Sequence, residues 1–146
     1  MSIDDLLEKS YWIMDILPQQ VPANGGGQYF KVEQYYLKRI SDLCHKYVQI
    51  LLKLNCYYDI EVSHHGDDWL LNPKPETIEQ WVSACLSDEP SESSLFVSLK
   101  DRTTLLVLGR ESTYMTIYNP TEELQTLLCQ LASSEGLFLW EPTNQC

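Results

Sequence analysis

Tyr29–Asn55, YFKVEQYYLKRISDLCHKYVQILLKLN, is the longest periodic stretch in the chain. Within it Tyr36, Ile40, Leu43, Tyr47, Leu51 and Leu54 recur at steps of three and four, and Leu37, Cys44 and Val48 widen that line. Such spacing puts one broad apolar face on a helix. Lys31, Lys38, Arg39, Asp42, Lys46, Gln49 and Lys53 fall mostly on the other side. A helix of about two dozen residues would run roughly 35 Å, the width of a small domain. The spacing therefore predicts one central helix over about 29–55 with a sheet wrapped against it.

Upstream, Gln19–Gln28 (QQVPANGGGQ) reads as a connection, because Pro22 lacks a donor and three glycines are conformationally free. The glycines precede a helix, but no Lys-Ser or Lys-Thr follows and the GxGxxG spacing is absent, so a phosphate loop is not expected. Tyr11–Leu17 (YWIMDIL) is rich in aromatic and branched residues and stops at Pro18, which predicts a strand. A single helix over 3–17 is the competing reading. Ser2, Asp4 and Asp5 suit the start of a short helix over 2–9.

Downstream, Cys56–Ser63 (CYYDIEVS) alternates, with Cys56, Tyr58, Ile60 and Val62 facing a core and Tyr57, Asp59, Glu61 and Ser63 facing out. His64–Pro75 is expected to be a loop or hairpin end, and Pro75 to open a helix over 76–86. Ser87–Ser94 is an acidic link. Leu95–Leu99, Thr103–Leu108 and Tyr114–Tyr118 lie close enough to form an antiparallel meander. Thr121 starts a helix that Gly136 ends, and Leu137–Trp140 is a last strand before a loose tail, EPTNQC. The order predicts a single α+β domain: a mostly antiparallel sheet on the long helix, with two or three shorter helices.

The chain has 146 residues, long enough to bury a core without staples. Its net charge is −11. Residues 1–54 balance six basic against six acidic groups, so the whole excess belongs to residues 55–146. Nucleic acid needs clustered Lys and Arg and is not an expected partner, whereas a basic protein is. Solubility alone also explains such a charge. The five cysteines form no CxxC, the N-terminus lacks a signal-peptide pattern, and no apolar run spans a bilayer. These features predict a reducing, cytoplasmic setting with no membrane contact.

One cluster invites chemistry: His64-His65-Gly66-Asp67-Asp68. Imidazoles and carboxylates can bind a metal or serve as a general base, with His64, His65 and Asp67 the candidate ligands. Neighbours on a strand point to opposite faces, however, so His64 and His65 do not readily share an ion. Cys44 and His45 diverge by about 100° on a helix, and no GxSxG occurs. The sequence singles out no catalytic residue and no cofactor site. Asp59, Glu61, Asp67, Asp68, Trp69, Asp88 and Glu89 instead suggest an acidic, aromatic-bearing surface for a basic partner. Packing is the other reading of Trp69, and also of Trp81.

WIMDILPQQVP…GQYFKVEQYYL, followed by LLKLNCYYDIEV, resembles segments of uncharacterised small bacterial proteins. In size, acidity and layout the whole chain resembles the small intracellular immunity proteins of bacterial toxin–immunity systems. The resemblance implies a protein that binds a cognate toxin, such as a nuclease, and blocks its active site or substrate entry; it carries over no functional residue. The alternatives are a small metal-binding protein or enzyme built on the His64–Asp68 cluster, and a homo-oligomeric scaffold. A monomer or small homo-oligomer is expected.

Overall fold

Residues 2–22, 27–64, 66–86, 94–99, 101–109 and 112–142 are described by the computed structural model. Ser2 caps α1 (Ile3–Leu7): its hydroxyl accepts from the Asp5 amide, and the Asp5 carboxylate accepts from the Ser2 amide. That reciprocal capping box starts a helix too short to stand alone. Strand β1 (Tyr11–Asp15) follows, which decides the Tyr11–Leu17 question in favour of a strand.

The helix expected over 29–55 is two helices, α2 (Gln28–Lys38) and α3 (Ile40–Asn55). Arg39 separates them with φ −113° and ψ 47°, and its guanidinium lies 4.0 Å above the Tyr35 ring. The break has a packing cause. No residue of α2 is buried, whereas α3 buries Leu43, Tyr47, Val48, Ile50, Leu51 and Leu54. Only α3 belongs to the core, and the continuous apolar line hides this because Tyr36 and Ile40 are half-buried at its margin.

Strands β2 (Ile60–Ser63) and β3 (Leu70–Leu71) come next, then α4 (Pro75–Leu86). The meander is β4 (Leu95–Leu99), β5 (Leu105–Leu108) and β6 (Met115–Tyr118), followed by α5 (Glu122–Ser134) and β7 (Phe138–Trp140). Among the described residues this makes an α+β fold of five helices and one seven-stranded sheet, ordered β3-β2-β4-β5-β6-β1-β7 and antiparallel throughout. Leu70–Leu71 pairs antiparallel with β2, the hairpin of the two readings for 64–75. One sequence expectation shifts locally: the strand expected from Cys56 starts at Ile60, because Cys56 closes α3.

Alternation sorts the sheet into two faces. Met14, Ile60, Val62, Leu95, Val97, Leu99, Leu106, Leu108, Met115 and Ile117 face α3, α4 and α5 and form the core with them. Lys46 Nζ donates to the Glu135 carbonyl at 2.6 Å and Lys53 pairs with the Glu135 carboxylate at 3.4 Å, so two cations of α3 hold the C-terminal end of α5. Gly136 takes φ +74° there, and the Leu137 amide reaches back to the Ala132 carbonyl. The second face is only partly covered. Helix α1 lies on β5, where Leu6 and Leu105 are fully buried. Past α1 the face opens over β6, β1 and β7.

Candidate functional site

Residues opposite each other in an antiparallel pair share a face. Tyr11 lies opposite Tyr118, and Ile13 lies between Thr116 on one side and Trp140 on the other. Their common face is the one turned away from α3, α4 and α5, because Met14 and Met115 take the alternate positions and enter the core. These side chains floor an open groove of about 690 Å³, within the usual range of ligand sites. The Gln19–Pro22 segment, Tyr29 and Phe30 of α2, Tyr114 and Pro142 wall it. Six of the lining side chains are aromatic, and among the described residues the only charged one is Asp15.

Asp15 is 7% exposed. Its Oδ1 accepts from the Ile16 amide at 2.7 Å and from the Thr113 hydroxyl at 3.4 Å. Among the described residues no donor meets Oδ2. Burial pushes the Asp15 pKa up; the bonds from Ile16 and Thr113 oppose this, and the nearby Glu33 carboxylate adds to it. Thr113 is tied to the core in turn. The Tyr47 hydroxyl donates to the carbonyls of Thr113, at 2.7 Å, and Met14, at 3.2 Å. The groove floor is therefore anchored by a fully buried tyrosine of α3.

The wall is aromatic and exposed at its rim. Tyr11 and Tyr118 rings lie 5.6 Å apart at 50°, and Tyr29 and Phe30 rings 6.1 Å apart. The Tyr29 hydroxyl donates to Glu33 at 3.3 Å. Phe30, Tyr11 and Tyr114 are 67%, 40% and 39% exposed, so large apolar area faces solvent around the opening. Trp140 Nε1 is buried and has no hydrogen-bond partner among the described residues. A second, smaller cleft shares Tyr11 and Pro142 with the groove and adds Glu8, Lys9 and Glu141.

The residues singled out from the sequence lie elsewhere, at the β2–β3 end of the sheet. Asp59 accepts from Asn72 Nδ2 at 3.0 Å, and Glu61 pairs with Arg102 at 3.2 Å. Their charge is thus partly engaged within the fold. Asp67 and Asp68 are exposed in a loop with defined geometry. The Ser63 hydroxyl donates to the Asp67 carbonyl, the Gly66 amide to Ser63 Oγ at 2.8 Å, and Trp69 Nε1 to the Gly66 carbonyl at 3.2 Å. Trp69 packs beside Phe96 with Arg102 5.6 Å from its ring, so it is part packing residue, part surface.

The His64 ring lies 4.6 Å from that of Trp81, tilted by 52°. His65, Asp88 and Glu89 lie outside the described residues, as do residues 87–93 of the acidic link and the last four residues of the tail. Among the described residues no three His, Cys, Asp or Glu side chains converge on one point. Cys44, Cys56, Cys85 and Cys129 are free thiols; burial pushes Cys85 up to about 11, and its Sγ donates to the Leu108 carbonyl. That thiol is a core hydrophobe rather than a nucleophile.

The groove was missed for a physical reason. Tyr11, Ile13 and Asp15 alternate visibly in YWIMD, as do Tyr114, Thr116 and Tyr118 in TYMTIY. Nothing local shows that these two strands become neighbours across 100 residues of chain, or that the helices leave a groove open over them. No protein-family model matches the chain, and neither a curated protein nor a solved structure matches it. The fold and site define a helix-backed antiparallel sheet with an open, aromatic, acid-floored groove on its free face.

Proposed function

We propose that this is a cytoplasmic, non-enzymatic binding protein of the immunity type, which engages a basic protein partner, such as a toxin, through an acidic and aromatic surface. The observation that carries this reading is the groove: it is concave, presents six aromatic side chains, and has one carboxylate as its sole charged lining group among the described residues. Aromatic side chains supply contact area at small entropic cost, and single-sign charge selects an opposite partner. The exposed pair Asp67 and Asp68 forms a second contact region on a loop already ordered by its own hydrogen bonds, which lowers the entropy lost on docking.

The test is capture of partners by the tagged protein from a lysate of its own source, at low and high salt, followed by affinity measurement on any purified basic partner. A partner whose affinity falls steeply with salt supports the reading. A partner of neutral or acidic character, or a salt-independent affinity, overturns it.

A specific observation favours a second reading, self-association. Helix α2 buries none of its residues, and Phe30, Val32 and Tyr35 are 67%, 42% and 52% exposed. Light scattering at high protein concentration separates the two: a strict monomer removes the oligomer.

A further inference from the structure

The sheet already shows how this protein seats a cation. At the β2–β4 end, Arg102 lies 5.6 Å from the Trp69 ring and pairs with the Glu61 carboxylate at 3.2 Å. At the α2–α3 break, Arg39 lies 4.0 Å over Tyr35. A ring face and a carboxylate are the two groups that hold a guanidinium outside water. The groove at the other end of the same face offers both. Tyr11 and Tyr118 stand side by side at one end of the groove, and Asp15, four residues and roughly 13 Å along β1, lies at the other end with Tyr29 and Tyr114; Trp140 lies opposite Ile13, between the two. Among the described residues no Lys or Arg lines the groove. The Asp15 side chain is nine-tenths buried, both of its hydrogen bonds fall on Oδ1, and Oδ2 meets no donor among the described residues.

We propose that the groove is a receptor for one cationic side chain, an arginine or lysine of the partner, with its charge on Asp15 Oδ2 and its stem along the rings at that end of the groove, Tyr29, Tyr114 and Trp140. This rests on the reading of the protein as a binder of basic proteins and names the anchor of that contact. The volume of about 690 Å³ exceeds what one side chain fills, so the flanking residues of the inserted segment lie along Phe30, Gln19–Pro22 and the Tyr11–Tyr118 pair. Competing occupants are an uncharged aromatic or amide group, which would use the rings and not the carboxylate.

Seating the cation requires Asp15 to be ionised. The groups facing it are Glu33 and Tyr29 of α2, Tyr47 of α3 and Thr113 before β6. Glu33 disfavours the second negative charge, and an entering cation relieves both the repulsion and the burial cost. Binding therefore weakens as pH falls through the raised Asp15 pKa, while an arginine probe keeps its own charge throughout.

The experiment titrates the full chain with a capped Gly-Arg-Gly peptide, its lysine counterpart and its citrulline counterpart, which keeps the arginine shape without the charge. Two-dimensional NMR reads the Trp140 indole N–H and the Thr113 and Thr116 amides. The proposal expects saturable shifts at these positions with arginine, with affinity lower by about tenfold for citrulline and for Asp15→Asn. Asn keeps the acceptor for Ile16 and Thr113, so this variant should fold; Thr116→Lys, which places a resident cation on the groove wall, should abolish binding independently. Glu79→Gln, at an exposed position of α4, should leave peptide binding unchanged. Equal binding of citrulline, or shifts confined to Trp69 and its neighbours, overturns the proposal. Failure to find a basic partner, with arginine binding intact, overturns the partner reading and leaves the receptor standing.

Discussion

Two buried residues couple the groove to the core, and each makes a distinct prediction. The Tyr47 hydroxyl satisfies two carbonyls at zero exposure, and burial holds its phenol protonated. Tyr47→Phe leaves the Thr113 carbonyl short of its donor and should cost about 1–3 kcal/mol, measured by urea unfolding. Asp15 behaves oppositely. Its folded pKa lies above the unfolded one, so the folded state binds the extra proton between them. Stability from this group is full below the unfolded pKa and is lost as pH rises through the folded pKa. Asp15→Asn should therefore raise the melting temperature at neutral pH and lose that advantage in acid. Thermal melts across pH check the sign, and a variant less stable than the parent at neutral pH would contradict it.

At the scale of elements, the two halves of the 29–55 stretch separate in stability. Helix α3 is held by six buried side chains and two cationic contacts to Glu135, while α2 has no buried residue. Amide exchange should thus be faster in α2 than in α3 by at least about tenfold, since local opening of α2 exposes little apolar area. Leu51→Ala, at a fully buried position of α3, should cost about 2–5 kcal/mol by denaturant unfolding. Capping is legible residue by residue. Thr121 accepts from the Leu124 amide at 3.1 Å, and Thr121→Ala should cost about 1 kcal/mol. Ser2, Thr121, Pro75 and Gly136 all sit where their local chemistry places them, because capping needs only neighbours within a turn. The break at Arg39 is not such a case: both sides of it favour helix, and the choice depends on which residues meet the sheet.

For the whole molecule, charge and shape act together. All of the net charge of −11 is carried beyond residue 54, yet Asp59 and Glu61 are spent partly on Asn72 and Arg102, and the exposed pair Asp67 and Asp68 sits at the sheet end away from the groove. No helix of the described residues is long and apolar enough to cross a membrane. Partner affinity should therefore respond to both ends of the sheet, separately: Asp67→Lys with Asp68→Asn changes the association rate and its salt dependence, whereas Asp15→Asn changes the dissociation rate. Stopped-flow association and dissociation measurements on a purified partner distinguish them. Asn is chosen at position 68 because the backbone there has φ +54°, which Asn tolerates and Lys does not.

Periods of 3.6 and 2, caps and turn residues are local, and they were enough to place the strands of the meander, α4, α5 and the core face of β2 from the amino-acid sequence alone. They were enough for the α+β class as well, because that follows from element order. The strand order β5-β6-β1-β7, the break of the long helix and the groove were decided only in the folded molecule. Tyr11, Asp15, Tyr118 and Trp140 are ordinary strand residues until β1 inserts between β6 and β7. That insertion buries Met14 and Met115 in the core beside α3, a long-range free energy that no short window of sequence contains.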